Sequence, residues 1–320
     1  MKLFTLFSYL LALRATTFAT PIPDVSKSLQ NILKNTDGSK LYTYPTDLTR
    51  GIIPKPFHSH NDYWRDVPFY SALSYGGIST EGDVWLINGT LFVGHEESAL
   101  TDARTLDSLY IQPILDTLHR QNPVTKFSPS PTKNGVFDTS SGQTLYLFID
   151  LKTAGPSTWP AVLSALSPLR DAGYLTTYDG TPTTTGPVTV IGTGNTPLDL
   201  IQAAHPTPQN PRFAFYDAPL PLLATTFSNI TAADSPIAST DFAAQFGSVK
   251  GGTLNDTQLA LLRAQISTAH AKGIAVRYWD QPGFPVGDRN AVWRLLWEEG
   301  ADLINVDDVA AFAEYWETYA

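Results

Sequence analysis

From Pro56 onward, apolar runs short enough to be strands alternate with longer windows of helical period, and that alternation admits few folds. Candidate strands lie at Pro56–His60, Ile78–Leu86, Leu145–Leu151, Val188–Gly192, Arg212–Tyr216, Ile274–Trp279 and Asp302–Val306. Helical windows fall at Pro68–Tyr75, Thr105–Arg120, Thr158–Ala172, Pro197–Ala204, Thr257–Lys272, Asn290–Glu299 and Val309–Tyr319. Parallel strands need a crossover connection, usually a helix, so this order specifies a parallel sheet with helices on its faces. Seven such strands over roughly 270 residues suit a single (β/α)8 TIM barrel, a fold of about 250 residues. The eighth strand is expected within Ser235–Phe246, where the pattern is poor. Leu91–Val93 follows Asn88-Gly89, a hairpin turn pair.

The stretches Gln121–Gln143 and Tyr174–Pro187 are rich in Pro, Gly, Ser and Thr and read as surface insertions. Residues 20–55 form an N-terminal arm with at most one short amphipathic helix, Val25–Leu33, expected over the barrel bottom; residues 56–320 form the barrel domain. The first residues differ from both. Lys2, an apolar run from Leu3 to Leu13, and small residues at Thr17 and Ala19 predict a signal peptide over residues 1–19 and a secreted protein. Its apolar run is too short to span a bilayer, and no later segment reaches that length. Asn88-Gly89-Thr90, Asn229-Ile230-Thr231 and Asn255-Asp256-Thr257 are glycosylation acceptor patterns consistent with export.

Cysteine is absent, which excludes disulfides and thiolate metal sites. Without its first twenty residues the chain keeps 19 basic residues against 30 acidic ones. That balance argues against nucleic acid and anionic membrane surfaces as partners. It still permits a phosphate substrate, because a metal ion and one lysine reverse the local field. A monomer is expected.

Four motifs place polar residues two apart beside a strand-like run: His58 and His60, Glu81 and Asp83, Asp150 and Lys152, Arg277 and Trp279. Residues i and i+2 of a strand share a face, and barrel enzymes use the C-terminal ends of their strands. Glu81 and Asp83 repel each other unless a cation or a proton intervenes. With Asp150 they make an oxygen site suited to Mg²⁺, with Ca²⁺ as the alternative. His60, and His95 in Gly94-His95-Glu96, are the acid/base candidates. His58 is grouped with the substrate-contacting residues, its alternative being a structural histidine. Lys152 would hold a phosphate oxygen or neutralise Glu81 or Asp83. Arg277 and Trp279 would form a far wall, or be a paired arginine and a buried tryptophan. Asp307 and Asp308 read as a helix cap, the alternative being support of the site's own residues.

HSHNDY, the Glu-x-Asp strand end, Gly-His-Glu, IDLKT, RYWDQP and INVDD, in that order, resemble the phospholipase C-like phosphodiesterase barrels. The nearest likeness is to the fungal "altered inheritance of mitochondria protein 6" group. Glycerophosphodiester phosphodiesterases and spider-type sphingomyelinase D are more distant. The resemblance covers about Pro56 to Val309. It implies His60 and His95 as the acid/base pair, Glu81, Asp83 and Asp150 as Mg²⁺ ligands, Lys152 on the phosphate and Trp279 in the pocket. The glycerophosphodiesterase type follows its first histidine with Arg-Gly, where this chain has Asn61-Asp62. The disulfide-bearing loop of the spider enzymes has no counterpart without cysteine.

These features point to a secreted, metal-dependent phosphodiesterase acting on a phospholipid head group or a glycerophosphodiester. Two other readings use fewer of the residues. A glycoside hydrolase would employ Glu81 and Asp150 and leave the histidines idle. A non-catalytic barrel would bind a lipid or wall component through an aromatic-lined mouth.

Overall fold

The computed structural model describes residues 26–36 and 38–319, which separate after Tyr44 into two units. The first contains one helix, α1 (Lys27–Thr36), in which no residue is buried. The expected signal segment lies outside the described residues.

The second unit is a closed barrel of eight parallel strands with helices between them, as the strand–helix alternation predicts. Its strands are β1 (Lys55–Ser59), β2 (Gly77–Ile87), β4 (Leu145–Leu151), β5 (Val188–Gly194), β6 (Ala214–Pro219), β7 (Ile237–Asp241), β8 (Ala275–Trp279) and β9 (Leu303–Val306). They follow one another around the barrel as β1-β9-β8-β7-β6-β5-β4-β2, and β2 closes on β1. The helices are α2 (Tyr70–Ser74), α3 (Gln112–Gln121), α4 (Gly155–Ala165), α5 (Ser167–Asp171), α6 (Leu198–Ala203), α7 (Phe242–Phe246), α8 (Asp256–His270), α9 (Val286–Glu298) and α10 (Val309–Tyr319). Strands buried on both faces need not alternate, and the nearly unbroken apolar run of β4 is such a strand. The most regular helix start is at α8, where Asn255 and Gln258 form a reciprocal capping box.

The departures from expectation have local causes. The eighth strand is β7, whose IASTD sequence has only two apolar residues and so no strand-like pattern. The single window Thr158–Ala172 is two helices that meet at Leu166, one residue before Ser167-Pro168 opens α5. Pro168 has no N–H to extend the ladder of α4. The insertion Gln121–Gln143 is tied down at its centre: Val136 and Phe137 are fully buried, and Thr49 Oγ1 donates to Val136 O at 2.8 Å.

One strand shapes the mouth. β2 has eleven residues, and only its first part belongs to the barrel. Ser79 to Val84 pair in parallel with Tyr146 to Leu151 of β4, while Val84 to Ile87 pair antiparallel with β3 (Thr90–Val93). Asn88 and Gly89 form the turn at φ 50° and 83°, left-handed values that an Asn-Gly pair tolerates. The hairpin therefore returns the chain to the barrel mouth, with Gly94 N donating to Asp83 O at 3.1 Å. His95 follows directly.

Candidate functional site

At the C-terminal mouth a cavity of about 480 Å³ is lined by His60, Asn61, Glu81, Asp83, His95, Asp150, Lys152, Thr193, Gly194, Arg277, Trp279 and Asp280. Eight of the nine residues singled out from sequence therefore line one space, and His58 does not.

Glu81 and Asp83 project from the same face of β2, and strand register places Asp83 opposite Asp150 on β4. One oxygen from each of the three carboxylates lies within 4.8 Å of the others. Lys152 bridges two of them, its Nζ 2.9 Å from both Asp83 Oδ2 and Asp150 Oδ2. Burial, together with the charges of Glu81 and Asp150, pushes Asp83 up to about 6 despite that lysine. Burial also raises Asp150, against the opposing pull of Lys152. Burial works against the charge of Glu81 too, but His58, His60 and Arg277 hold it well below the usual carboxylate range. A group of hard oxygen donors that remain strained beside one lysine suits a divalent cation such as Mg²⁺ or Ca²⁺. Gly194, at φ 62°, packs against this group, and a Cβ there would fall on Asp150 Oδ1.

His60 lies just past β1 and its Nδ1 is 2.7 Å from Asp307 Oδ1. Burial disfavours its charge, yet the Asp307 bond and the Glu81 carboxylate outweigh it and raise its pKa above 6.5. Its Nε2 stands 3.9 Å from Glu81 Oε2. Arg65 holds the same turn, donating from Nη2 to His60 O at 2.9 Å. Asp307 was expected to cap a helix; instead it turns to His60, and only Asp308 caps α10, accepting from Ala311 N at 3.1 Å.

His58 requires correction. It is fully buried beneath Glu81, with Nδ1 2.7 Å from Ser79 Oγ and Nε2 3.5 Å from Glu81 Oε2. Burial and the Arg277 charge pull it down to about 3, so it is neutral and out of reach of a substrate. Its place is as a prop for Glu81.

His95 also lines the cavity, its Nδ1 3.3 Å from Asp83 Oδ2 and its ring against Trp64 at 5.4 Å. Tyr63 joins this corner: its hydroxyl lies 2.8 Å from Asp83 Oδ2 and 3.1 Å from His95 Nδ1, and it also meets Asn61 Oδ1. Arg277 rises through the barrel interior over Phe148, bonded to Ser239 Oγ and Asn305 Oδ1 at 3.0 Å each and 3.5 Å from Asp217 Oδ2. Its charge is thus matched internally while it forms the cavity floor. Trp279 is 36% exposed at the rim, so the buried alternative for it does not hold. Sequence reading did not single out Tyr63 or Asn61 as functional neighbours, and it ranked the supporting role of Asp307 behind a helix cap. The only available signal was their closeness in sequence to His60 and to the end of the last strand.

Residues 46–217 match the AIM6-like phosphodiesterase domain. The chain belongs to the AIM6-like phosphodiesterase family. It is 53% identical over 306 residues to the altered inheritance of mitochondria protein 6 homolog of Arthroderma benhamiae, covering 92% of this chain and 95% of that one. The altered inheritance of mitochondria protein 6 of Eremothecium gossypii is 35% identical over 282 residues, 84% of this chain and 71% of its own length. That of Saccharomyces cerevisiae is 34% identical over 279 residues, 82% of this chain and 71% of its own. The AIM6-like match spans β1 to β5 and part of β6, and so includes His60, the three carboxylates, His95 and Lys152.

Proposed function

We propose that this AIM6-like protein is a secreted, divalent-cation-dependent phosphodiesterase that acts on a phospholipid head group or a glycerophosphodiester. The observation that carries the reading is the convergence of three carboxylate oxygens within 4.8 Å, one lysine and two histidines on a single cavity. Glu81, Asp83 and Asp150 would hold Mg²⁺ or Ca²⁺, which supplies stabilisation of charge on a non-bridging phosphate oxygen. Lys152 adds a second positive contact for phosphate while staying tied to Asp83 and Asp150. His60 stands beside Glu81 and His95 beside Asp83. One takes the proton of the attacking hydroxyl as the new P–O bond forms; the other gives a proton to the leaving oxygen as the old one breaks. Trp279 presents an aromatic face to the substrate's remaining part. The volume of about 480 Å³ fits a head group, with any acyl chains left outside. Export is supported by the segment of residues 1–19 and by the exposure of Asn88, Asn229 and Asn255.

Calorimetric titration of Mg²⁺ and Ca²⁺ into chelator-stripped protein tests the site, alongside turnover of a phosphodiester panel. Binding should disappear in Glu81→Ala/Asp83→Ala, and turnover should fall by at least about a hundredfold in His60→Ala and in His95→Ala. Full turnover in both histidine variants, or turnover unaffected by chelator, would overturn the proposal.

A further inference from the structure

We propose that Tyr63 is the positioning residue for His95, holding its imidazole through Nδ1–H so that Nε2 is the nitrogen that exchanges a proton with substrate. The inference rests on the reading of His95 as one of the acid/base pair.

Tyr63 is buried in the short turn Asp62–Trp64 that follows β1, and its hydroxyl meets three polar atoms: Asn61 Oδ1, Asp83 Oδ2 at 2.8 Å and His95 Nδ1 at 3.1 Å. A phenol has one proton to give. Both oxygens are acceptors, and one belongs to a carboxylate, the stronger class of partner. The proton therefore goes to an oxygen and not to the more distant imidazole. The phenol oxygen then faces His95 with a lone pair, and only an Nδ1 that carries hydrogen can bond to it. Asp83 Oδ2, 3.3 Å from the same nitrogen, favours the same tautomer. The hydrogen bond made by one ring nitrogen fixes the state of the other, so Nε2 keeps its lone pair.

The turn is built to hold that hydroxyl still. Asn61 N donates to Glu81 Oε2 at 2.9 Å, and Asp62 accepts from Ser59 Oγ and Phe69 N at 2.6 and 2.5 Å. Arg104 donates from its guanidinium to Tyr63 O. Trp64, the next residue, lies against the His95 ring. One short stretch thus orients both histidines, carrying His60 itself and reaching His95 through Tyr63. The two rings are held by different partners, His60 by a carboxylate and His95 by a phenol.

The test is long-range proton–nitrogen correlation NMR on the ¹⁵N-labelled full chain, at a pH where the imidazole is neutral. The His95 signals are assigned by their loss in His95→Gln. The parent should show the Nδ1–H tautomer, and Tyr63→Phe should lower its share, because Asp83 Oδ2 at 3.3 Å is then the one acceptor left to that nitrogen among the described residues. Turnover of bis(p-nitrophenyl) phosphate by Tyr63→Phe should lose about tenfold or more in kcat with little change in KM, the usual cost of removing a group that orients a functional ligand. An Nε2–H tautomer in the parent overturns the proposal and needs no variant to fold. An unchanged tautomer ratio in Tyr63→Phe overturns it as well. A changed tautomer with unchanged kcat overturns the assignment of Nε2 to the reaction. Should the parent cleave no phosphodiester, the proposed function fails, and the tautomer measurement still decides the role of Tyr63.

Discussion

Asp83→Asn should make the cation-free protein more stable at pH 8, although it removes an ion pair. The buried Asp83 carboxyl titrates at about 6 instead of its usual 3.8, so its charge is disfavoured by the fold. A carboxylate raised in this way contributes stability that is complete below pH 3.8 and lost as pH rises through about 6. The shift of about 2 pH units corresponds to about 3 kcal/mol between the two protonation states. Asparagine imitates the neutral carboxyl: its amide oxygen can still accept from Tyr63 and Lys152, which both reach Asp83 Oδ2. The misplaced NH₂ group takes back about 1 kcal/mol, leaving a gain of about 2 kcal/mol. For a domain of this size that is a rise in Tm of about 4 °C.

Scanning calorimetry in chelator at pH 4 and pH 8 reads this directly. The variant and parent should melt close together at pH 4 and diverge across the interval to pH 7. Saturating Mg²⁺ should restore the parent by about 3 kcal/mol at a hundred times its Kd and leave the variant nearly unmoved. If Asp83→Asn melts below the parent at pH 8 in chelator, the charge argument is wrong.

His58→Ala should cost about 2–4 kcal/mol in urea unfolding at pH 7, by opening a cavity and orphaning the Ser79 hydroxyl. His58, pulled down to about 3, contributes stability that is complete above pH 6.5 and lost as pH falls toward 3, so the variant should also unfold less steeply in acid. Asp307→Asn should lower the His60 pKa, since burial then acts with one opposing partner fewer; an imidazole titration by NMR shows it. In the parent, His60 stabilises fully below pH 6.5, and that contribution is lost as pH rises through its raised pKa, a limb the variant should lack. Gly194→Ala should weaken divalent-cation binding by calorimetry about tenfold or more, because the added Cβ displaces Asp150, with about 1–2 kcal/mol of backbone strain besides.

The barrel was legible because strand–helix alternation leaves so few topologies, and the site was legible because i, i+2 spacing reports direction. What that spacing omits is depth. His58 and His60 obey the same rule, yet His58 lies within β1 and faces the packed interior, while His60 lies one residue beyond the strand and opens on the cavity. Asp307 and Asp308 show the same limit at the other end of the chain: adjacent carboxylates point to different partners, one to His60 and one to a helix N-terminus. Nothing local distinguishes them. Tyr63 is invisible for a different reason, because a loop has no period and its hydroxyl gains meaning only when β2 and the hairpin return bring Asp83 and His95 beside it.

Charge balance favours a cation-binding role for the three carboxylates over a solvated strand end. Arg277 is a buried positive group, but Asp217 faces its guanidinium at 3.5 Å and Asn305 and Ser239 take its other donors. His60 is likewise matched to Asp307. Lys152 is the one remaining cation in contact with Glu81, Asp83 or Asp150 among the described residues, and it is shared between two of them. Three ionised carboxylates against one lysine leave two negative charges in a buried space, where Coulomb energies far exceed those in water. The protein meets part of that cost by letting Asp83 approach neutrality near pH 6. A divalent cation would cancel the remainder without the proton, and a phosphate entering afterwards would find a positive centre where the isolated chain presents a negative one.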